Sequence, residues 1–281
     1  MNKLPMSKRV AVVSALVEGN SLRSTCRMTG VAMNTVLKLL ADLGEACATY
    51  HEEHVRNVNA KRIQCDEIWQ YVYCKQRNIP ETKEGVFGYG DVWTWTAIDA
   101  DTKLMVSYMV GARTPHMCYE LMKDCASRLA GKVQLTTDGL YWYPHAVEHA
   151  FGIDADYAVQ SKKYSPFDGA GRYSPARFIG STKEVIRGNP DAKHISTSFV
   201  ERANLTMRMG MRRFTRLTNG FSKKVENHAY AVALHFLHYN FARVHKTLRV
   251  TPAMEAGLAN HIWSIEEIVG LLDRPSAVEA A

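Results

Sequence analysis

The apolar spacing of this 281-residue chain changes near Lys61, from a purely helical period to one that includes alternating segments. That switch divides the chain into an all-helical start and a sheet-forming remainder. Ser7 to Val17 reads as one helix, Asn20 or Ser21 caps a second that runs to about Met28, and after Gly30 a third runs from about Met33 to Tyr50. Helix, glycine-containing turn, helix is the helix-turn-helix pattern, in which the last helix lies in a DNA major groove. Asn34, Thr35 and Lys38 open that helix and are placed to face bases and phosphates. A plain three-helix cap would show the same spacing. His51-Glu-Glu-His54 and Asn57-Val-Asn-Ala60 read as a polar linker, which gives an N-terminal domain over residues 1–55.

Beyond Lys61, Arg62 to Tyr73, Val92 to Ile98 and Leu104 to Val110 are rich in β-formers and joined by short links, the pattern of an antiparallel meander. A helix from about Pro115 to Leu129, a strand over Val133–Thr137, a helix near Pro144–Ala150 and a strand over Tyr157–Gln160 follow. This order is that of a ribonuclease-H-like, retroviral-integrase-type mixed sheet. The expected class is therefore α/β, with an N-terminal all-α helix-turn-helix and a catalytic domain over 61–245. Prolines, glycines and repeated Tyr-Ser-Pro triplets mark 161–194 as a long irregular insertion. A helix from Ser222 to about Arg243 comes next, and residues 246–281 form a short helical tail.

Charge is unevenly spread. Residues 161–250 carry 17 lysines and arginines against 5 acidic residues, whereas residues 51–160 carry 11 against 15. A basic region beside an acidic one suits a polyanion bound next to a carboxylate pocket. The six cysteines contain no C-x-x-C pair, so no zinc ribbon or dithiol redox motif is present, and they are expected to be reduced and structural. No apolar run is long enough to span a membrane, which takes about 18 residues. Lys3, Lys8 and Arg9 ahead of Val10–Val17 have the outline of a signal peptide without its small-residue cleavage site, so an intracellular protein is expected.

Three carboxylates stand out by position. Asp66 lies mid-strand, where a buried sheet favours apolar residues. Asp138, in Thr136-Thr-Asp-Gly139, sits at the carboxyl end of a strand, where α/β folds bind ligands. Glu201 heads a helix crowded with arginines, of which Arg208, Arg212 and Arg216 recur every fourth residue and form one stripe in a continuous helix. In a sheet of the expected order the three acids converge and can hold divalent cations for phosphodiester chemistry. The bland alternative is a solvated basic helix with an ordinary ion pair. Two rival motifs carry less: His145-Ala-Val-Glu-His149 matches an inverted zinc-peptidase pattern, and Asp99 with Asp101 suits a hairpin turn. His245 and Lys246 suit either phosphate contact or a satisfied helix end.

Gln64-Cys-Asp-Glu-Ile-Trp69, Thr136-Thr-Asp-Gly-Leu140, Gly188-Asn-Pro-Asp191, the segment from Ser196 to Thr218, and Tyr239 to Met254 together resemble the DDE transposases of bacterial insertion sequences, nearest to the insertion-sequence-one group. The resemblance covers roughly residues 60–265. It implies that Asp66, Asp138 and Glu201 are the catalytic acids and metal ligands, with two Mg²⁺ ions as cofactor and Mn²⁺ able to substitute. Glu67 is a neighbour not assigned to metal. It implies cleavage at transposon ends and joining of the freed 3′-hydroxyls to target double-stranded DNA by a homo-oligomer, in the bacterial cytoplasm at the nucleoid. Arg202, Arg208, Arg212, Arg216, His245 and Lys246 would then join Asn34, Thr35 and Lys38 in binding DNA. Members of the group often carry a zinc ribbon ahead of the helix-turn-helix, whereas this chain has no cysteine before Cys26, so end recognition would fall to residues 7–50. The alternative is a non-enzymatic DNA-binding regulator on a retained scaffold.

Overall fold

The alternating segments beyond Lys61 form one sheet. The computed structural model describes residues 4–165, 177–215 and 218–273, and in it six strands lie in the order β3-β2-β1-β4-β5-β6. They are β1 (Arg62–Val72), β2 (Gly90–Asp99), β3 (Met105–Gly111), β4 (Val133–Thr137), β5 (Ala155–Tyr164) and β6 (Phe178–Arg187). β1 to β3 are an antiparallel meander, β4 joins β1 in parallel and β5 joins β4 in parallel. The chain is thus a mixed α/β protein with a mixed sheet. β1 and β4 are its central strands, so β1 is buried along most of its length.

The irregular insertion expected over 161–194 is corrected. β5 runs on to Tyr164 and pairs antiparallel with β6, so both arms of the segment are strand. The glycines and prolines drew the irregular reading, yet Phe178-Ile179 and Val185-Ile186 are β-formers that pairing can use. The second Tyr-Ser-Pro triplet lies outside the described residues.

Helices cover both faces. α4 (Pro115–Arg128) and α5 (Tyr143–Phe151) pack together on one, and α6 (Ser198–Gly210) crosses β1 on the other. α4 starts as its sequence dictates, with the Thr114 hydroxyl accepting from Met117 N–H and Pro115 in the first turn.

The N-terminal helices are α1 (Met6–Val17), α2 (Leu22–Thr29) and α3 (Met33–His54), with Ser21 capping α2 and Gly30 left-handed at its end. The expected linker His51–His54 is instead the last turn of α3. His51 is buried there, its Nε2 3.1 Å from the Met105 carbonyl, and Arg128 donates to the backbone carbonyls of His51 and Val55. α3 packs lengthwise on α7 (Val225–Leu237), and where they cross, a Cβ on Gly44 would lie 2.4 Å from the Tyr230 Cβ. Valines and leucines of α1 and α3 therefore belong to the same apolar core as the sheet.

α7 passes into a π-helical turn, His238–Ala242, which aims Asn240 at the outer edge of β3. Its amide accepts from Met105 N–H at 2.9 Å and donates to Met105 C=O at 3.0 Å, the carbonyl that His51 also reaches, so the backbone of this edge residue is covered. The short helices α8 (Pro252–Glu255) and α9 (Ile265–Gly270) fold back so that α9 packs on α1 and Asp273 pairs with the buried Arg9. All six cysteines are free thiols. No helix among the described residues is long and apolar enough to cross a membrane.

Candidate active site

The parallel register of β1 and β4 sets Cys65 opposite Thr137, which brings the next residues, Asp66 and Asp138, side by side where β4 ends. β1 continues to Val72 while β4 stops at Thr137, so the two strands part just beyond this point. Carboxylate oxygens of Asp66, Glu67 and Asp138 lie within 4.8 Å of one another there, the one such metal-sized cluster among the described residues.

Each acid is held by a different element. Asp66 accepts from the Asn204 side-chain amide of α6 at 2.8 Å. Asp138 accepts from Leu140 N–H at 3.1 Å, fixing the turn after β4. The Glu67 side chain is only 2 % exposed and accepts from Arg113 Nε at 2.9 Å and from the Tyr143 hydroxyl at 3.3 Å. Arg113 in turn lies over the Trp93 ring, 4.7 Å from its centroid.

Without a cation the cluster is electrostatically uncomfortable. Burial, then the charges of Glu67 and Asp138, push the Asp66 carboxyl up to about 7. Burial raises Glu67 and Asp138 as well, Glu67 despite the opposing pull of Arg113. Hard carboxylate oxygens clustered in this way are the donors Mg²⁺ and Mn²⁺ take, so the residues fit such an ion.

Glu201 stands beside this group rather than inside it. Its charge disfavours ionisation of Asp66 and Asp138, so it is close to both. Both of its oxygens are held by the Lys162 ammonium from β5, and the Thr197 hydroxyl donates to it at 2.6 Å. α6 itself is anchored by side chains of the sheet. Gln64 Oε1 accepts from Phe199 N–H at 2.8 Å and Val200 N–H at 3.1 Å, and Gln160 Oε1 accepts from Thr197 N–H at 2.9 Å. These bonds satisfy the open donors of a helix N-terminus. Glu201 in the first turn is also favoured by the helix dipole.

The arginine stripe is corrected. α6 ends at Gly210, Met211 is extended and Arg212–Phe214 is a separate 3-10 turn, so Arg208 and Arg212 do not share a helix face. Gly210 is a poor helix former, and the break begins there. Arg216 lies outside the described residues. Arg202 and Arg212 are exposed, whereas Arg213 turns inward and donates to Ser222 Oγ at 2.5 Å.

Asn34, Thr35 and Lys38 are exposed on the first turns of α3, with Lys38 paired to Asp42 at 2.6 Å. Between this end of α3 and the end of α6 lies a cavity of about 620 Å³, whose lining includes Arg23, Arg212, Arg213 and Lys223 and no carboxylate. Lys246 is exposed and His245 half-buried. Burial first, then Lys103, Arg243 and Arg202, hold the His245 imidazole below the usual histidine range, which marks a cationic cluster beside α6.

The rival motifs read plainly. His145 and His149 are exposed on α5, and His149 packs edge-on to Tyr119. Asp99 accepts from Asp101 N–H and the Thr102 hydroxyl, as a turn residue does.

Gln64, Glu67, Arg113, Lys162 and Asn204 were not singled out as site residues from sequence. Gln64 and Asp66 share one strand face, and Asn204 follows Glu201 on the same face of α6. Those offsets are the signal that could have found two of them. Lys162 and Arg113 come from the ends of distant strands and leave no local mark.

No protein-family model matches the chain, and no curated protein matches it. Among solved structures it is similar to the piggyBac transposase in a synaptic complex with hairpin DNA, at 11% identity over 95% of this chain and 69% of that one, with a TM-score of 0.43. It is similar to the Mos1 transposase in a paired-end complex with the left transposon end, at 11% identity over 56% of this chain and 60% of that one, with a TM-score of 0.23. The Mos1 strand transfer complex gives 10% identity over 84% and 77%, with a TM-score of 0.26. Identities and scores this low assign the chain to no family.

Proposed function

We propose that this chain is a DNA transposase of the bacterial insertion-sequence kind, with a ribonuclease-H-like catalytic core and Asp66, Asp138 and Glu201 as its acidic residues. The observation that carries the reading is the meeting of Asp66, midway along β1, with Asp138, just past the end of β4, under a helix that has Glu201 in its first turn and is tied to β1 by Gln64 and Asn204. The strand order 3-2-1-4-5 supports the fold assignment.

Asp66 and Asp138 would hold divalent metal, two Mg²⁺ or Mn²⁺ ions once Glu201 contributes. Bound there, the ions would polarise the phosphodiester and the attacking oxygen while neutralising the crowded carboxylates. The chain's own residues do the rest. Asn204 orients Asp66, the Leu140 amide orients Asp138, and Arg113 keeps the charge of Glu67 compensated beside them. Exposed Arg202, Arg212 and Lys246 supply cations for the DNA backbone, and half-buried His245 beside them offers a hydrogen bond rather than a charge. Asn34, Thr35 and Lys38 on α3 would read the transposon ends, in an active complex with more than one copy of the chain. A cytoplasmic, nucleoid-associated protein follows from that activity.

The second reading, a DNA-binding regulator without catalysis, draws on the pairing of Glu201 with Lys162, which leaves the third acid engaged elsewhere. A strand-transfer assay with duplexes carrying the sequences that flank the gene separates the two. The transposase reading expects Mg²⁺-dependent joining that disappears in Asp66→Asn, Asp138→Asn and Glu201→Gln, with DNA binding kept. Binding without joining by the wild-type chain supports the regulator. Joining by Glu201→Gln at the wild-type rate removes that residue from the acidic set.

A further inference from the structure

Two cations compete for one carboxylate at this site. Lys162 holds both oxygens of Glu201, while the neighbouring carboxylates gather without it. A divalent ion that recruits Glu201 must displace the Lys162 ammonium. The Lys162 side chain is only 26 % exposed, and its ammonium would then sit beside one or two divalent charges with no counter-charge of its own. Such an arrangement is unfavourable until an anion arrives. The anion that fits is a phosphate of the DNA backbone, since the side chains of both Lys162 and Glu201 are partly exposed where β5 passes α6.

We infer that Lys162 is a latch between DNA and metal. It keeps Glu201 out of the metal site while DNA is absent, and passes to a backbone phosphate when DNA binds, releasing Glu201. The inference rests on the metal-dependent reading of the site and adds to it that Lys162 couples the two ligands. No covalent step is involved, because the ammonium exchanges one oxygen partner for another. Thr197 at the start of α6 donates to Glu201 at 2.6 Å and is itself tied to Gln160 of β5, so the exchange asks only for a rotation of the Glu201 side chain on an anchored helix. By linkage, whatever factor DNA contributes to metal affinity, metal contributes to DNA affinity. A Cβ on Gly139 would lie 2.6 Å from the hydroxyl and 3.6 Å from the Cβ of Ser161, the residue before Lys162, so this part of β5 lies close to the turn bearing Asp138.

The test is Mn²⁺ titration of the full chain followed by electron paramagnetic resonance, with and without a duplex of arbitrary sequence at low salt. Wild type, Lys162→Met, Lys162→Arg and Asp66→Asn are compared. The expected result is that Lys162→Met binds Mn²⁺ without DNA about tenfold more tightly than wild type and gains little when DNA is added. Wild type and Lys162→Arg should gain about tenfold from DNA. Equal affinities for wild type and Lys162→Met without DNA overturn the latch while leaving the metal site intact. If Asp66→Asn binds Mn²⁺ as wild type does, the metal site itself is overturned and the latch with it. Circular dichroism of Lys162→Met checks its fold, and should that variant misfold, Lys162→Gln takes its place in the same titration.

Discussion

Asp66 is the residue at which the cost of the site can be measured. An aspartate carboxyl ordinarily titrates near about 4, and here burial with the charges of Glu67 and Asp138 brings it to about 7. A carboxyl whose folded value is raised contributes most below its ordinary value, and that contribution is lost as pH rises through the folded value. The metal-free protein should therefore lose stability as pH climbs from about 4 to about 7. Asp66→Asn should flatten that loss and raise the melting temperature at pH 8 by roughly 2–4 °C, for a gain on the order of 1 kcal/mol. Thermal melts in chelator across pH check this, and a lower melting temperature for the variant would count against a strained acidic cluster.

The pairing of Glu67 with Arg113 carries a separate prediction. The carboxylate is buried and answered by Arg113, so Arg113→Ala should cost about 3 kcal/mol in a urea titration. Adding Glu67→Gln to that variant should recover much of the loss, because the stranded charge is then gone. Sequence pointed to Asp66 and Asp138 because an acid in a buried strand and an acid at a strand end are locally odd. Glu67 looked ordinary beside them. Its partners, Arg113 and Tyr143, come from the end of β3 and the start of α5, and only the folded chain brings them near.

At the scale of elements, helices and strands were largely legible because their periods differ. What misled was continuity. Arginines at every fourth position imply one stripe only while the helix lasts, and α6 stops at Gly210. The 3-10 turn that follows separates Arg212 from Arg213, one exposed and one half-buried. Arg212→Ala should lower the slope of log DNA affinity against log salt by about one unit with little effect on folding. Arg213→Ala should lower the melting temperature, since it removes the partly buried bond to Ser222. Equal salt slopes for wild type and Arg212→Ala would return Arg212 to a solvated surface role. The insertion was hard to read for a related reason. Tyr-Ser-Pro and its glycines are turn signals, and they outweighed the strand-forming residues on either side, which find their partners only through β5 and β6 pairing with each other.

For the whole molecule, the N-terminal helices are part of the fold's core. Gly44 lets α3 lie against Tyr230 of α7 at a distance no larger side chain allows, and His51, Glu52 and Val55 tie the far end of α3 to β3 and α4. Gly44→Val should therefore destabilise the entire chain by more than about 2 kcal/mol, as overpacking a closed contact does. Calorimetry should show one unfolding transition for wild type. A separate early transition for residues 1–55 would mean that the helices fold apart from the sheet. Chain composition could not reveal this, since the polar run around His51–His54 reads as a linker until its burial is known.

The same helix also acts as a ruler. α3 has 22 residues, a rod of about 33 Å at 1.5 Å per residue. One end presents Asn34, Thr35 and Lys38 to solvent, and the other is clamped to the sheet that carries Asp66. If α3 reads transposon ends, the distance from the recognised bases to the reacting phosphate is set by rigid protein. Ends with base pairs added between those two points should then bind as well as before and be cut at a displaced position, a fixed number of base pairs from the recognised sequence.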